Sequence, residues 1–396
     1  LARPRSQAHL RCGPDRFCST RWASPMSDWS ANSYSAITIA DDHELAAFIA
    51  LAGLPGLSPG RFWSLLALGA PSQIWKRVAA GRASRHGRAV DAARAWPAWC
   101  RTIDPGAELD RHLASNTTVL PFGHCEYPDA LLDDPDPPPV IFRQGPGVLE
   151  DRVRVAIVGT RRCTRYGEGV ARELGAALAQ RGVDVVSGLA SGIDAAAHAG
   201  AISRVPARTV AVVAGGVDII YPKRNRGLYQ QIAEHGALLS EWPLGSKPET
   251  WRFPARNRVV AALSAATVVV ESGCKGGSMY TVDEALRRDR AVFAVPGSIY
   301  SPASAGTNKL ISDGAHSLHD FDGLLDAVAP LTGPSLAQVE LGIDSWLLEA
   351  VGWEPVALDT VVRECGRSPS EVTLEVERLI GVGALRRLGG VIERVT

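Results

Sequence analysis

Between Asp41 and about Ser115 the apolar positions recur at helical spacing in short, punctuated segments. Asp41 or Asp42 can cap a helix running through Leu51, Gly53-Leu54-Pro55-Gly56 turns the chain, and Pro59 opens a second helix carrying Phe62, Trp63, Leu65, Leu66 and Leu68. Two short helices around a glycine turn suggest either a helix-hairpin-helix unit, which grips DNA backbone phosphates, or an ordinary small helical bundle. Composition does not separate the two. Residues 119–145 hold Pro121, Pro128, Pro135, Pro137, Pro138 and Pro139, so the pattern there predicts an irregular connector with an edge strand at 140–142.

The pattern then changes. Short β-branched runs at 153–158, 183–187, 209–214, 237–241, 267–271 and 291–295 alternate with helical stretches. Continuous apolar strands separated by helices predict a parallel sheet covered on both faces, an α/β fold. Nearly every strand leaves into a glycine or a turn residue, with Gly159, Gly188, Gly215, Gly273 and Gly297 in that position. Ligands of open α/β sheets bind just beyond the carboxyl ends of the strands, so the special residues stand where such a fold binds things. Past a linker at 330–334, two helices at 357–365 and 369–380 joined at Gly366 precede a hairpin of 384–388 and 391–395 closed by Gly389-Gly390. Helix, turn, helix and a β wing is the winged-helix order. The expected organisation is an extension over 1–30, a small helical domain over 31–115, a Rossmann-like domain over 116–330 and a winged helix over 336–396.

Composition changes this picture in three ways. A chain of 396 residues exceeds what one core usually fills, and 46% hydrophobic with 21% charged residues excludes wholesale disorder. The 42 basic and 42 acidic residues balance, so any charge for a nucleic acid must be gathered locally. Arg supplies all but five of the basic residues, a skew that reflects genome composition and carries no weight by itself. No run approaches the roughly eighteen apolar residues of a membrane helix; the nearest, 259–270, is broken by Ser264 and Thr267. The early Arg residues lack a following apolar core, so no secretory signal is expected, and residues 1–30, with the first Met at Met26, are expected to be disordered or an over-called start. Seven scattered cysteines without CxxC predict neither a disulfide framework nor a zinc site, and a reducing cytoplasm is the expected compartment.

Gly159-Thr160-Arg161-Arg162-Cys163-Thr164-Arg165-Tyr166-Gly167 lacks GxGxxG, so no dinucleotide cofactor is expected. Its arginines beside a helix N-terminus make an anion site, or are simply solvated. In Ser187-Gly188-Leu189-Ala190-Ser191-Gly192-Ile193-Asp194, Ser191 or Asp194 can cap the next helix. Asp194 and His198 share a helix face, where a cap plus a hydrogen-bonded histidine is preferred to a catalytic pair. Two further segments, Tyr221-Pro222-Lys223-Arg224-Asn225-Arg226 and Trp251-Arg252-Phe253-Pro254-Ala255-Arg256-Asn257-Arg258, contain no acid, and Lys275 brings the cations to ten. Tyr166, Tyr221, Trp251 and Phe253 are interleaved with them; Phe253, before a proline, is the one expected in the core. Cations for phosphates and flat rings for unstacked bases are what a single-strand groove requires.

Several segments together resemble the DNA-processing protein A (DprA/Smf) family: SGLASGIDAAAH at 187–198, Tyr221-Pro222, FPARNR at 253–258, VFAVPG at 292–297 and GTNKLISDGA at 306–315. The resemblance covers roughly residues 120–320. It implies an extended Rossmann fold, with a small helical domain (SAM or helix-hairpin-helix-like) and a winged helix as usual attachments. It also implies sequence-independent binding of single-stranded DNA, homodimerisation through the Rossmann-like domain and loading of a RecA-type recombinase in natural transformation. By this resemblance Arg161 and Arg256-Asn257-Arg258 should line the DNA pocket. With the convergent cations the expected DNA-binding set is Arg161, Arg162, Arg165, Lys223, Arg224, Asn225, Arg256, Asn257, Arg258 and Lys275, with Gly159, Gly188, Gly192, Gly215 and Gly297 as pocket glycines. No catalytic residue, metal or cofactor is implied. Two positions depart from the family: Ser191 stands where a long residue, often Arg, is usual, and Gly276-Gly277-Ser278-Met279-Tyr280-Thr281 replaces a commoner loop form. Gly276-Gly277, Thr281 and Glu284 also faintly resemble the signature of lysine-decarboxylase-like phosphoribohydrolases, which supplies the rival reading of a nucleotide-cleaving enzyme.

Overall fold

The computed structural model describes residues 34–82, 90–147, 152–204, 209–328, 346–347, 356–381, 385–388 and 391–394. The expectations for residues 1–30 and for the Gly389-Gly390 turn lie outside them. The chain divides into two compact units, 1–336 and 337–396.

The first unit opens with α1 (Asp42–Ala52), α2 (Pro59–Leu66), α3 (Pro71–Ala79), α4 (Val90–Cys100) and α5 (Pro105–Ala114). Asp41 caps α1, its carboxylate accepting from the Glu44 N–H at 2.9 Å, and prolines open α2, α3 and α5, where the missing N–H costs nothing. Every residue of α1 from Leu45 to Ala52 is buried, so this helix is the centre of the bundle. The bundle packs on the sheet through Val140 and Phe142, which share its core.

The strands are β1 (Thr118–Pro121), β2 (Val140–Gln144), β3 (Arg154–Val158), β4 (Asp184–Ser187), β5 (Thr209–Val212), β6 (Ala237–Ser240), β7 (Ala266–Val269), β8 (Ala291–Ala294) and β9 (His316–Ser317). Short α6 (Asp129–Leu132) lies between β1 and β2. Helices α7 (Arg165–Gln180), α8 (Ile193–Ile202), α9 (Arg226–His235), α10 (Arg252–Ala262), α11 (Met279–Leu286), α12 (Ala305–Ser312) and α13 (Phe321–Val328) connect or follow the later strands. One sheet runs β1-β2-β6-β5-β4-β3-β7-β8-β9. It is parallel from β6 to β9, and antiparallel where β2 pairs with β1 and β6.

Each of the six expected strands forms within one or two residues of its pattern. Alternation along β3 explains the double coverage, for Val155 and Ile157 enter the core under α7 and α8 whereas Ala156 and Val158 enter the core under α10 and α11. The expected edge strand is corrected. β2 lies inside the sheet with Val140, Ile141 and Phe142 buried, and β1, missed among the prolines, is the edge. Pro121 at its end is tolerated because it closes an edge strand. Two further prolines anchor the connector, the Pro137 carbonyl accepting from Trp63 Nε1 at 2.8 Å and that of Pro138 from the Tyr127 hydroxyl at 2.7 Å.

The second unit holds helices Leu358–Cys365 and Pro369–Gly381 joined through left-handed Gly366. Its three-stranded antiparallel sheet adds the unexpected Val356–Ala357 to the strands Leu385–Leu388 and Val391–Arg394. Ser368 and Glu371 cap the second helix reciprocally, Glu371 accepting from the Ser368 N–H at 3.0 Å and Ser368 Oγ from the Glu371 N–H at 3.3 Å. Cys100, Cys163 and Cys274 are thiols. Cys125 departs from the expectation: it is disulfide-bonded. Spacing along a chain does not report which thiols meet in space. Among the described residues, no helix is long and apolar enough to cross a membrane.

Candidate nucleic-acid interface

Parallel β5, β4, β3, β7 and β8 all end on one side of the sheet, so the loops after them share one surface. The loop after β4 is built first. Ser187 Oγ donates to the Ile157 carbonyl at 2.6 Å, and the buried Asp194 carboxylate accepts from the N–H groups of Gly188 (3.2 Å) and Ala190 (3.3 Å). Asn225 Nδ2 holds the outer side of the loop through the carbonyls of Leu189 (3.0 Å) and Ala190 (3.3 Å). Gly192, at φ +81°, brings α8 so close to the β3 loop that a Cβ there would lie 2.4 Å from the Thr160 carbonyl oxygen. Gly192 therefore occupies the N-cap of α8, and Asp194 binds the loop from the first turn instead of capping the helix as expected.

Arg256 reaches this loop from α10 and donates to the carbonyls of Gly188 and Val212, tying the ends of β4 and β5 together. A side chain at Gly188 would collide with its guanidinium. Burial pulls Arg256 down to about 10, with Asp194 opposing that pull, and it raises Asp194 despite Arg256. Arg256 remains cationic at neutral pH.

Above Arg256 a solvent-open depression of about 490 Å³ is lined by Arg161, Gly188, Ser191, Gly215, Tyr221, Pro248 and Phe253, among others. The Arg161 guanidinium lies 5.3 Å from the Phe253 ring centroid, and the Tyr221 ring lies 5.6 Å from Phe253. Phe253, expected in the core, is thus half-buried in the pocket wall. At the rim, Arg224 Nε donates to Ser191 Oγ at 2.5 Å, beside exposed Lys223. Arg162 and Arg165 are exposed at the start of α7, and Lys275 in the loop after β7. Of the expected pocket glycines, Gly188 and Gly215 line the depression, whereas Gly159, Gly192 and Gly297 lie at this end of the sheet without lining it.

Two members of the expected set sit otherwise. Arg258 is buried, bonded to Glu241 and the Asp136 carbonyl, and is no part of the pocket. Residues two apart on a helix point roughly 200° apart, so Arg256 and Arg258 cannot serve one face. Asn257 is half-buried, accepting from Arg256 Nε at 3.1 Å and donating to the Gly277 carbonyl at 3.4 Å. Pro248, Val213 and Ile219 were missed as lining residues, since nothing in an apolar side chain's sequence position marks it as facing a cleft.

Residues 118–329, just over half the chain, match the family model of DNA recombination-mediator protein A. The chain belongs to this family. It is 41% identical over 209 residues to the DNA processing protein DprA of Bacillus subtilis, covering 52% of this chain and 70% of that one. Across the curated relatives, matches span 49% to 76% of the relative's own length. Among solved structures, DprA from Streptococcus pneumoniae aligns with a TM-score of 0.59 at 29% identity, over 74% of this chain and 98% of that one. DprA from Helicobacter pylori, described for its single-stranded DNA binding mode, aligns at 0.50 and 31% identity, over 54% and 96%. These likenesses agree with the mixed α/β, mostly parallel architecture, which in DprA is Rossmann-like.

Thr281 and Glu284, two of the residues behind the rival enzyme reading, do not line the depression. Thr281 is buried, and the Glu284 carboxylate is paired with Arg287 at 3.0 Å and with Arg288. Arg288 in turn is held by Asp134 at 2.6 Å. Asp194 and His198 form no pair either, as His198 is fully buried with Nδ1 on Thr209 Oγ1 at 2.6 Å.

Proposed function

We propose that this chain binds single-stranded DNA without sequence preference and passes it to a RecA-type recombinase. The carrying observation is the depression at the sheet's carboxyl end, where Arg161, Tyr221 and the α10 residues Phe253 and Arg256 come together from three segments. Rings offer faces to any base and cations meet the phosphates, and neither contact depends on base identity. Membership of the recombination-mediator family supports the hand-over, and the H. pylori relative's described binding mode supports the ligand. Arg162, Arg165, Lys223, Arg224 and Lys275 extend the cationic rim, and Asn225 and Asn257 shape it. In this reading the protein works in the cytoplasm as a homodimer through the Rossmann-like domain, without cofactor or catalysis. Residues 31–115 serve as a small helical domain of SAM or helix-hairpin-helix type, 116–330 as the DNA-binding domain, and 336–396 as a winged helix.

Gel-shift titrations of single- against double-stranded DNA of equal length across a salt series test this. Preference for the single strand, with affinity falling linearly in log salt, is expected. Equal binding of both forms, or no salt dependence, overturns it.

A further inference from the structure

The end of the sheet carries a second feature that the pocket does not use. Ile299 is 83% exposed and Tyr300 90%, on the loop between β8 and α12. This loop is rigidly tied. Asn308 donates to the Gly297 carbonyl at 2.9 Å and accepts from the Gly297 N–H at 3.1 Å, and the Ser301 N–H closes a turn on the Ser298 carbonyl at 3.0 Å. The half-exposed Tyr166, at the start of α7, donates its hydroxyl to the Pro296 carbonyl at 3.1 Å, so the rings reach from the β3 loop to the β8 loop. Apolar groups held in water on a fixed frame mark an interaction surface.

We propose that Tyr166, Ile299 and Tyr300 form a second base-stacking platform that continues the single-strand groove sideways from the pocket. The inference rests on the single-strand reading above. The pocket occupies the ends of β5, β4 and β3; β7 and β8 follow in the sheet, so the platform lies two strands on, about 10 Å away. Lys275 after β7 and Arg162 and Arg165 after β3 stand between and beside the two sites. Among the described residues no carboxylate lies within ion-pair distance of these three cations. The exposed Glu168 in the same turn as Arg165 is already paired with Arg172 at 3.2 Å, so the uncompensated charge is positive. That favours a polyanion over a second copy of this chain, because a self-complementary contact would set the same cations against one another.

The test uses the full-length chain and fluorescence anisotropy with single-stranded oligonucleotides of about 6 and about 20 nucleotides, spanning the usual range of a single-strand groove. Tyr300→Ala, a change at an almost fully exposed side chain, is expected to weaken the long strand about tenfold, the scale of one lost base–ring stack, and to leave the short one unchanged. Tyr300→Phe keeps wild-type affinity. The salt slope of Tyr300→Ala stays at its wild-type value, because stacking releases no counterions. Wild-type affinity of Tyr300→Ala for the long strand, or an equal loss on both lengths, overturns the platform. So does a change of oligomeric state in sedimentation with unaltered DNA affinity, which assigns the surface to a second copy. The parallel variant Arg161→Glu separates the two failures: if it binds both lengths as the wild type does, the pocket reading itself falls.

Discussion

Arg161, Arg256 and Arg258 have the same side chain and three different tasks. Arg161 stands over an aromatic ring at the mouth of the pocket, Arg256 is 4% exposed and bonded to two carbonyls, and Arg258 is sealed against Glu241. Substitutions should separate them. Arg161→Glu is expected to cost at least about tenfold in single-strand affinity with an unchanged melting temperature. Arg258→Ala is expected to do the reverse, because removing one partner of a buried pair costs about 3–5 kcal/mol while the folded fraction still binds. Melting curves and anisotropy on both variants check this; an Arg258→Ala chain as stable as the wild type contradicts it. Ser191 supplies a subtler case. Its hydroxyl anchors Arg224, so that guanidinium is held at the rim from the neighbouring segment. Ser191→Ala and Arg224→Ala should therefore each weaken binding a few fold, and the double variant should lose no more than Arg224→Ala alone. Strict additivity in that cycle would show the two to act independently.

At the scale of elements, α8 is pinned from beneath by His198, whose Nδ1–H donates to Thr209 Oγ1 while Thr209 donates to the Val185 carbonyl at 3.2 Å. Burial pulls His198 down to about 3, with Arg256 adding to the pull. In the unfolded chain it titrates near 6.5, so between these values the unfolded state binds more protons than the native one. Its contribution is therefore full above pH 6.5 and is lost on acidification at up to ~1.4 kcal/mol per pH unit. Glu241, pushed up to about 7 by burial, works with the opposite sign, so the whole-chain curve mixes both. Comparison with His198→Gln cancels the shared groups. The stability difference between the two chains should shift in the variant's favour from pH 6.5 to 5, read from urea midpoints, and parallel curves would refute it. Helix α10 shows why charge counting over-reached at this scale. Its acid-free run reads as a cationic face, yet Arg252, Arg256 and Arg258 are all buried, Arg252 against the rings of Trp242 and Trp251. The counter-groups of Arg256 and Arg258, carbonyls and Glu241, come from residues well separated in the chain, whereas Arg252 pairs with Glu249 only three residues away, at 2.9 Å.

For the molecule as a whole, the second unit is expected to contribute little to strand binding. In the helix Pro369–Gly381, Arg378 is held by Glu375 at 2.6 Å, and Arg387 of the following strand pairs with Glu377 at 3.1 Å. A helix rich in Glu, with its Arg already engaged, offers a polyanion few donors. Deleting residues 337–396 should leave single-strand affinity within a few fold; a loss of tenfold or more, ~1.4 kcal/mol, with the first unit still folded contradicts this.

Much of this architecture was determined by sequence alone. Continuous β-branched runs between helical stretches are buried best in a parallel sheet, and glycines at strand ends mark where backbone must pass backbone, so the sheet and its order of elements were legible. The helical starts were legible for a similar reason, since Asp41, Pro59 and Pro105 act on their nearest neighbours. Tertiary structure decided what depends on partners distant in sequence. It placed β2 inside the sheet and β1 at its edge, because pairing is chosen by the space left beside β6. It turned Arg256 inward and Phe253 outward, because helix phase against the sheet is set by packing rather than by composition. It also anchored Arg224 on Ser191, an interaction across 33 residues that exists only once the ends of neighbouring strands have been brought together.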